Sequence, residues 1–191
     1  MGLTLSRSEL KDMERALVER LPPMDPFESP FDAPKAVSVV AGVSTFGLLL
    51  SVRFADASVQ TVMLNPVVSY ALGRVCLVAN DERGWWGEDG AWKNVPYAPD
   101  ELERMQTALQ QSLPPVPGVL EYEHAPNAVS IFGGSGPIGL LLKLRLENGS
   151  VLAWMLSPVV VMNLMALISD GAQRLDWWDE NGEFITADTR H

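Results

Sequence analysis

One cysteine, Cys76, and two histidines, His124 and His191, are all that this chain of 191 residues holds of the side chains that most often ligate metals or act as catalytic nucleophiles and bases. A lone cysteine excludes an intrachain disulfide and a cysteine metal cluster, and suits a reducing cytoplasm. With one histidine in a proline-rich stretch and the other terminal, a Ser-His-Asp or Cys-His nucleophile and a histidine metal site lack their parts. Neither metal nor cofactor is expected.

Positive charge is scarce as well. There are 14 Lys and Arg against 24 Asp and Glu, a net charge of −10, and both halves share the deficit, with 8 basic against 12 acidic residues in 1–92 and 6 against 12 in 93–191. Nucleic acid and anionic membrane are bound by cations that neutralise phosphate, so neither is an expected ligand. A basic protein partner suits this charge better. The opening residues carry charge along a helical pattern, unlike a secretory signal. The longest apolar run, 151–168, approaches the length that spans a bilayer, but Ser157-Pro158 divides it into a strand and a helix. With 47% hydrophobic and 20% charged residues the chain reads as globular and not disordered.

What the chain has in place of a motif is a duplication. Shifted by 92 positions without a gap, residues 9–92 fall on residues 101–184. Gly47-Leu48-Leu49-Leu50 lands on Gly139-Leu140-Leu141-Leu142, Pro66-Val67-Val68 on Pro158-Val159-Val160, and Trp85-Trp86 on Trp177-Trp178. The expected organisation is a first repeat over 1–92 and a second over 93–191, an α+β pair related by a pseudo-twofold axis. Such a chain would act as a monomeric pseudo-dimer or form a homodimer.

Each repeat opens with a helix. Ser6 and Glu9 have the spacing of a capping box, and Leu10, Met13, Leu17 and Leu21 recur at helical intervals, as Leu102, Met105, Leu109 and Leu113 do after a cap at Asp100. Three strands follow, at 36–41, 47–54 and 58–64 in the first repeat. Asn148-Gly149 signals a two-residue hairpin turn in the second. That turn predicts a register in which Phe54 faces Val59, Val52 faces Thr61 and Leu50 faces Met63 on the core side. Ser51, Arg53, Gln60 and Val62 then share the other face, with Lys143, Arg145, Leu152 and Trp154 as counterparts. Asn65-Pro66 and Ser157-Pro158 each start a second helix, on which Cys76 falls in the apolar stripe. Trp85-Trp86 and Trp177-Trp178 lead into a short hairpin.

Candidate binding residues are those that core packing does not require. Arg53 and Arg145 recur on the outward face, either breaking up an exposed strand or meeting a partner. Adjacent strand residues point to opposite faces, so one tryptophan of each pair, Trp85-Trp86 and Trp177-Trp178, enters the core and the other covers an edge or serves as a contact. Trp154, Met162 and Met165 are greasier than their first-repeat counterparts; with Val161, the two methionines make the second-repeat helix apolar all round, which predicts that it is covered on both sides, between the repeats or at a partner interface. Gly133-Gly134-Ser135-Gly136-Pro137 lacks the Lys-Ser/Thr ending of a phosphate loop and reads as a tight turn. Glu88, Asp89, Asp176, Asp179 and Glu180 flank the tryptophans, but turn chemistry accounts for acids in such places. No catalytic residue stands out.

The order helix, three strands, helix, short hairpin, helix, over 9–21, 36–41, 47–54, 58–64, 66–79, 85–92 and 101–113, resembles the class I chaperones of type III secretion. The resemblance implies a small acidic bacterial protein, here two units fused in tandem, that holds a segment of another protein. The expected function is therefore a non-enzymatic protein-binding module, a chaperone or adaptor for an extended segment. Two alternatives stand beside it: an inhibitor or immunity-type protein that presents acidic residues to a basic site, and a small-ligand binder or enzyme with a carboxylate and tryptophan pocket.

Overall fold

The computed structural model describes residues 6–19, 32–44, 47–110, 125–179, 181 and 183–186. The first repeat contributes α1 (Arg7–Glu19), β1 (Lys35–Ser44), β2 (Gly47–Phe54), β3 (Val59–Leu64) and α2 (Pro66–Arg83). The second contributes α3 (Pro99–Gln110), β4 (Asn127–Gly136), β5 (Gly139–Leu146), β6 (Val151–Leu156) and α4 (Pro158–Arg174). The fold is α+β, with the two α-β-β-β-α units the duplication predicts. His124, Glu180 and His191 lie outside the described residues.

Local chemistry sets the helix ends. The Glu9 N–H donates to Ser6 Oγ at 3.2 Å while the Ser6 N–H donates to Glu9 Oε2 at 2.8 Å, completing a capping box. Hydrogen bonds from the Ser6 backbone and then its hydroxyl hold the Glu9 carboxyl below its ordinary range. Asn65 Oδ1 accepts from the Val68 N–H at 2.9 Å and Ser157 Oγ from the Val160 N–H at 3.4 Å, each just ahead of a proline in the first turn. Helix α3 departs from expectation by starting at Pro99, which puts Asp100 inside the first turn instead of at the cap. No described helix is long and apolar enough to cross a membrane.

The strands pair antiparallel within each repeat, β1-β2-β3 and β4-β5-β6. Two short parallel seams, β3 with β4 and β6 with β1, then close all six strands into a barrel. The hairpin register corrects the sequence expectation. The Phe54 N–H donates to Ser58 and the Leu146 N–H to Ser150, so each loop holds three residues, the third being Ala57 (φ 68°) or Gly149 (φ 86°) in the left-handed region. This is a type I turn closed by a bulge, not a two-residue turn. A slip of one residue exchanges the faces of a strand. Leu50 therefore pairs with Val62 and Val52 with Gln60, and in the second repeat Leu142 pairs with Trp154. Gln60, Val62, Leu152 and Trp154 turn to the side expected of Met63 and Thr61.

The helices cross between repeats. Helices α1 and α2 pack on β4, α3 and α4 pack on β1, and α2 packs on α4. One core cluster consequently spans both units, joining Leu50, Val62 and Leu72 to Leu142, Trp154 and Leu164. The run from Gly133 is also corrected. Gly133 to Gly136 complete strand β4, and a Cβ at Gly133 would stand 2.2 Å from Val75 Cγ1, so glycine there admits α2 onto the strand.

Two measurements check this packing. Gly139, at φ 152°, has the Leu156 carbonyl oxygen 2.1 Å from where a Cβ would lie, so Gly139→Ala is expected to lower the unfolding free energy in denaturant titration by roughly 2–3 kcal/mol. Burial pushes the Cys76 thiol from 9.0 up to about 12. A raised value means that its contribution to stability is whole below pH 9.0 and is lost as pH rises towards about 12. At pH near 8, a thiol reagent should leave native Cys76 untouched and modify it only as the chain unfolds.

Candidate functional site

The structure disperses the candidate residues of the sequence before it gathers some of them. Trp85 and Trp177 are 1% and 2% exposed and belong to the core, while Trp86 and Trp178 are half-buried at the surface. Trp154, expected on the outward face, is wholly buried at 0% inside the barrel because of the register shift. Its indole Nε1 donates to Gln60 Oε1 at 2.6 Å. Met162 and Met165 are half-buried on α4.

Arg53 and Arg145 are half-buried on the outer sheet face, in register with Ser38 and Ser130. Helices cover only part of that face. Ser130 Oγ, beside Arg145, donates to the Leu17 carbonyl of α1 at 3.3 Å, while Val59 and Val151, the cross-strand partners of Arg53 and Arg145, are 55% and 46% exposed. The paired arginines thus occupy equivalent register positions at the margin of the helix-covered face.

Two candidates, Met165 and Trp178, come together in a groove of about 240 Å³ between α2 and α4. Ser69, Tyr70, Gly73, Arg74 and Leu77 line it from α2, and Met165, Ile168 and Ser169 from α4. Tyr70, Gly73, Arg74 and Leu77 are spaced at three, four and seven residues, so they share one helical face. Trp178 meets Tyr70 edge-on at 5.9 Å, and Phe184 lies 5.5 Å from Tyr70 and 6.1 Å from Trp178. Tyr70, Leu77 and Val78 are 39%, 38% and 44% exposed, an apolar surface on a protein of strong net charge.

The groove exists because the repeats differ there. Tyr70 corresponds to Met162, Gly73 to Met165, Arg74 to Ala166 and Leu77 to Ser169. Gly73 and Met165 are repeat equivalents that face the same cleft, and a Cβ built at Gly73 meets nothing within 4 Å. Replacing the bulk of methionine by hydrogen on one side leaves the cleft open. The two outer tryptophans differ too. Asn80 grips the Trp86 backbone, accepting from its N–H at 3.0 Å and donating to its carbonyl at 3.2 Å. Ala172 stands where Asn80 would in the second repeat, so Trp178 lacks that clamp and is held by its backbone bridge to Phe184 and by ring contacts.

Charge surrounds this apolar centre. Asp81 follows Leu77 by one turn of α2, Asp176 and Asp179 bracket the second tryptophan pair, and Glu183 precedes Phe184, all exposed, while Asp170 after Ser169 is paired with Arg174 at 2.9 Å. Arg74 is the cation in the groove lining. The carboxylates near the hairpins act on the backbone: Asp89 Oδ1 accepts from the Ala91 N–H at 3.1 Å, and Asp179 Oδ1 from Asn181 and Glu183 at 2.8 and 3.0 Å. Among the described residues, no group of three or more His, Cys, Asp or Glu side chains is placed to hold a metal ion. Sequence reading passed over Tyr70, Gly73, Arg74 and Leu77. The available signal was their divergence between repeats on one helix face.

Gly73→Met, which copies the second repeat, is expected to fill the groove without disturbing the core. Glycine inside a helix costs about 1 kcal/mol relative to a good helix former, so the melting temperature should rise by roughly 2–4 °C. Acrylamide quenching of Trp178 should fall in the same variant. No protein-family model, curated protein or solved structure matches the chain.

Proposed function

We propose that this chain is a non-enzymatic protein-binding module that docks a basic partner on the face formed by α2 and α4. The observation that carries the proposal is the exposed groove of Tyr70, Leu77, Met165 and Trp178, with Arg74 within it and carboxylates around it. Tyrosine, tryptophan, arginine and methionine are the residues that concentrate at the centres of protein interfaces. A volume of 240 Å³ lies below the range of about 300–1,000 Å³ usual for small-molecule pockets, and it suits one or two apolar side chains of a partner. The acidic surround supplies the second element, attraction and orientation of a positively charged surface.

Among the modes expected from sequence, presentation of an acidic face to a basic site has the better support. Holding an extended segment by strand addition needs a free edge, and barrel closure takes part of each one, Lys35 and Ala36 against Met155 and Leu156, and Met63 and Leu64 against Asn127 and Ala128. The carboxylates serving hairpin backbones lend no support to an enzyme. A cytoplasmic setting belongs to the same proposal, in keeping with the single buried thiol.

Affinity capture from the native cell, run with the wild-type chain and with Gly73→Met, tests the reading. A basic protein should be retained by the wild type, be lost from the variant, and dissociate as salt is raised from about 0.1 to 1 M, over which the screening length falls from about 10 to 3 Å. Retention unchanged by both the substitution and the salt would overturn it.

A further inference from the structure

The inside of the barrel holds a second asymmetry, independent of whatever occupies the groove. At one inward position the first repeat has Gln60 and the second Leu152; two residues on, the first has Val62 and the second Trp154. The large ring lies opposite the small side chain's repeat, and the amide opposite the indole. Trp154 is wholly buried, so water cannot serve its N–H, and the acceptor 2.6 Å away is Gln60 Oε1 of the other repeat. Phe54, also of the first repeat, packs its ring 6.3 Å from the same indole. Val62 is likewise wholly buried, so the added volume of Trp154 is matched by a small residue at the equivalent place.

We infer that the two half-barrels are keyed to each other and against themselves: the interior surface of each repeat takes the unlike repeat as partner and rejects a second copy of its own kind. A pair of first repeats would set two glutamines and two valines in the lumen, leaving a void where the indole belongs. Two second repeats would crowd two tryptophans into the same space and give neither N–H its amide acceptor. Specificity of this sort arises when wrong pairings carry an unpaired polar group or a misfit of volume. Buried polar pairs are best attested in this role of choosing register and partner. The chain therefore closes on itself as an unlike pair. The cleft bearing Tyr70 and Gly73 consequently occurs once per barrel, whereas a like pair would present two equivalent faces.

The pseudo-twofold axis offers a direct test in the full chain. Leu152→Gln with Trp154→Val makes both repeats first-like at these two positions, Gln60→Leu with Val62→Trp makes both second-like there, and the four changes together move the amide and the indole to the opposite side. Both symmetrised chains should melt at least about 5 °C below the wild type, and the fourfold variant, which restores the amide–indole pair but leaves Phe54 and Leu146 in place, should melt above both. A fourfold variant no more stable than the symmetrised chains would overturn the inference. A gentler cycle decides the matter if those variants fold poorly. Gln60→Met, which keeps the length and removes the amide, should lower the melting temperature in the wild type but leave it unchanged in a Trp154→Phe background. Equal losses in both backgrounds would show that Gln60 and Trp154 act separately, and would also overturn it.

Discussion

Closure of the barrel rests on two equivalent main-chain bonds, one at each seam. The Met63 N–H donates to the Pro126 carbonyl and the Met155 N–H to the Pro34 carbonyl, both at 2.9 Å. Beside them the parallel pairing runs for only two residue pairs, Met63 with Asn127 and Leu64 with Ala128, or Met155 with Lys35 and Leu156 with Ala36. So short a ladder needs support from packing. The crossing helices provide it: α2 lies on β4 and α4 on β1, and Asn163 Nδ2 of α4 donates to the Val39 carbonyl at 3.3 Å. Neither three-stranded unit buries its apolar face without the other, because a two-layer core needs both layers.

This interlocking explains why the proposed docking surface lies where it does. The strand faces are filled by the lumen on one side and approached by helices on the other, which removes most of them from use. Helices α2 and α4 pack on β4 and β1 and meet each other along one side, which leaves only their outer faces to solvent. A symmetric pair of helices would present two copies of any contact. The substitutions Tyr70/Met162, Gly73/Met165 and Arg74/Ala166 break that symmetry, opening a cleft on the α2 side and ending it at Trp178. Duplication supplied a scaffold, and divergence at a few surface positions made one site of it.

The parts legible in the sequence were those governed by neighbours a few residues apart. The capping box of Ser6 and Glu9, the proline-started helices after Asn65 and Ser157, and the burial of Cys76 follow from spacing and local chemistry. So does the division of each tryptophan pair into a core member and a surface member, a consequence of strand alternation. The hairpin register was misread because Asn-Gly serves two turn types. The repeat sequence Ala57 in the matching loop adopts a left-handed conformation that its identity does not advertise. In the second repeat the equivalent three-residue loop, with Gly149 in the left-handed region, turns Trp154 from the outside of the barrel to its centre. The groove was harder still, since its walls come from helices almost a hundred residues apart and from what Gly73 lacks.

By itself the sequence determined two units, their order of helices and strands, their acidity, and the scarcity of cysteine and histidine. Each of these is a property of composition or of short spacing, settled before any distant residues meet. Only the tertiary structure decided that the units share one barrel, that their helices exchange partners, and that Gln60 and Trp154 meet inside it. These depend on the register and direction of strands far apart in the chain, and there a shift of one residue reverses which side chains face the core.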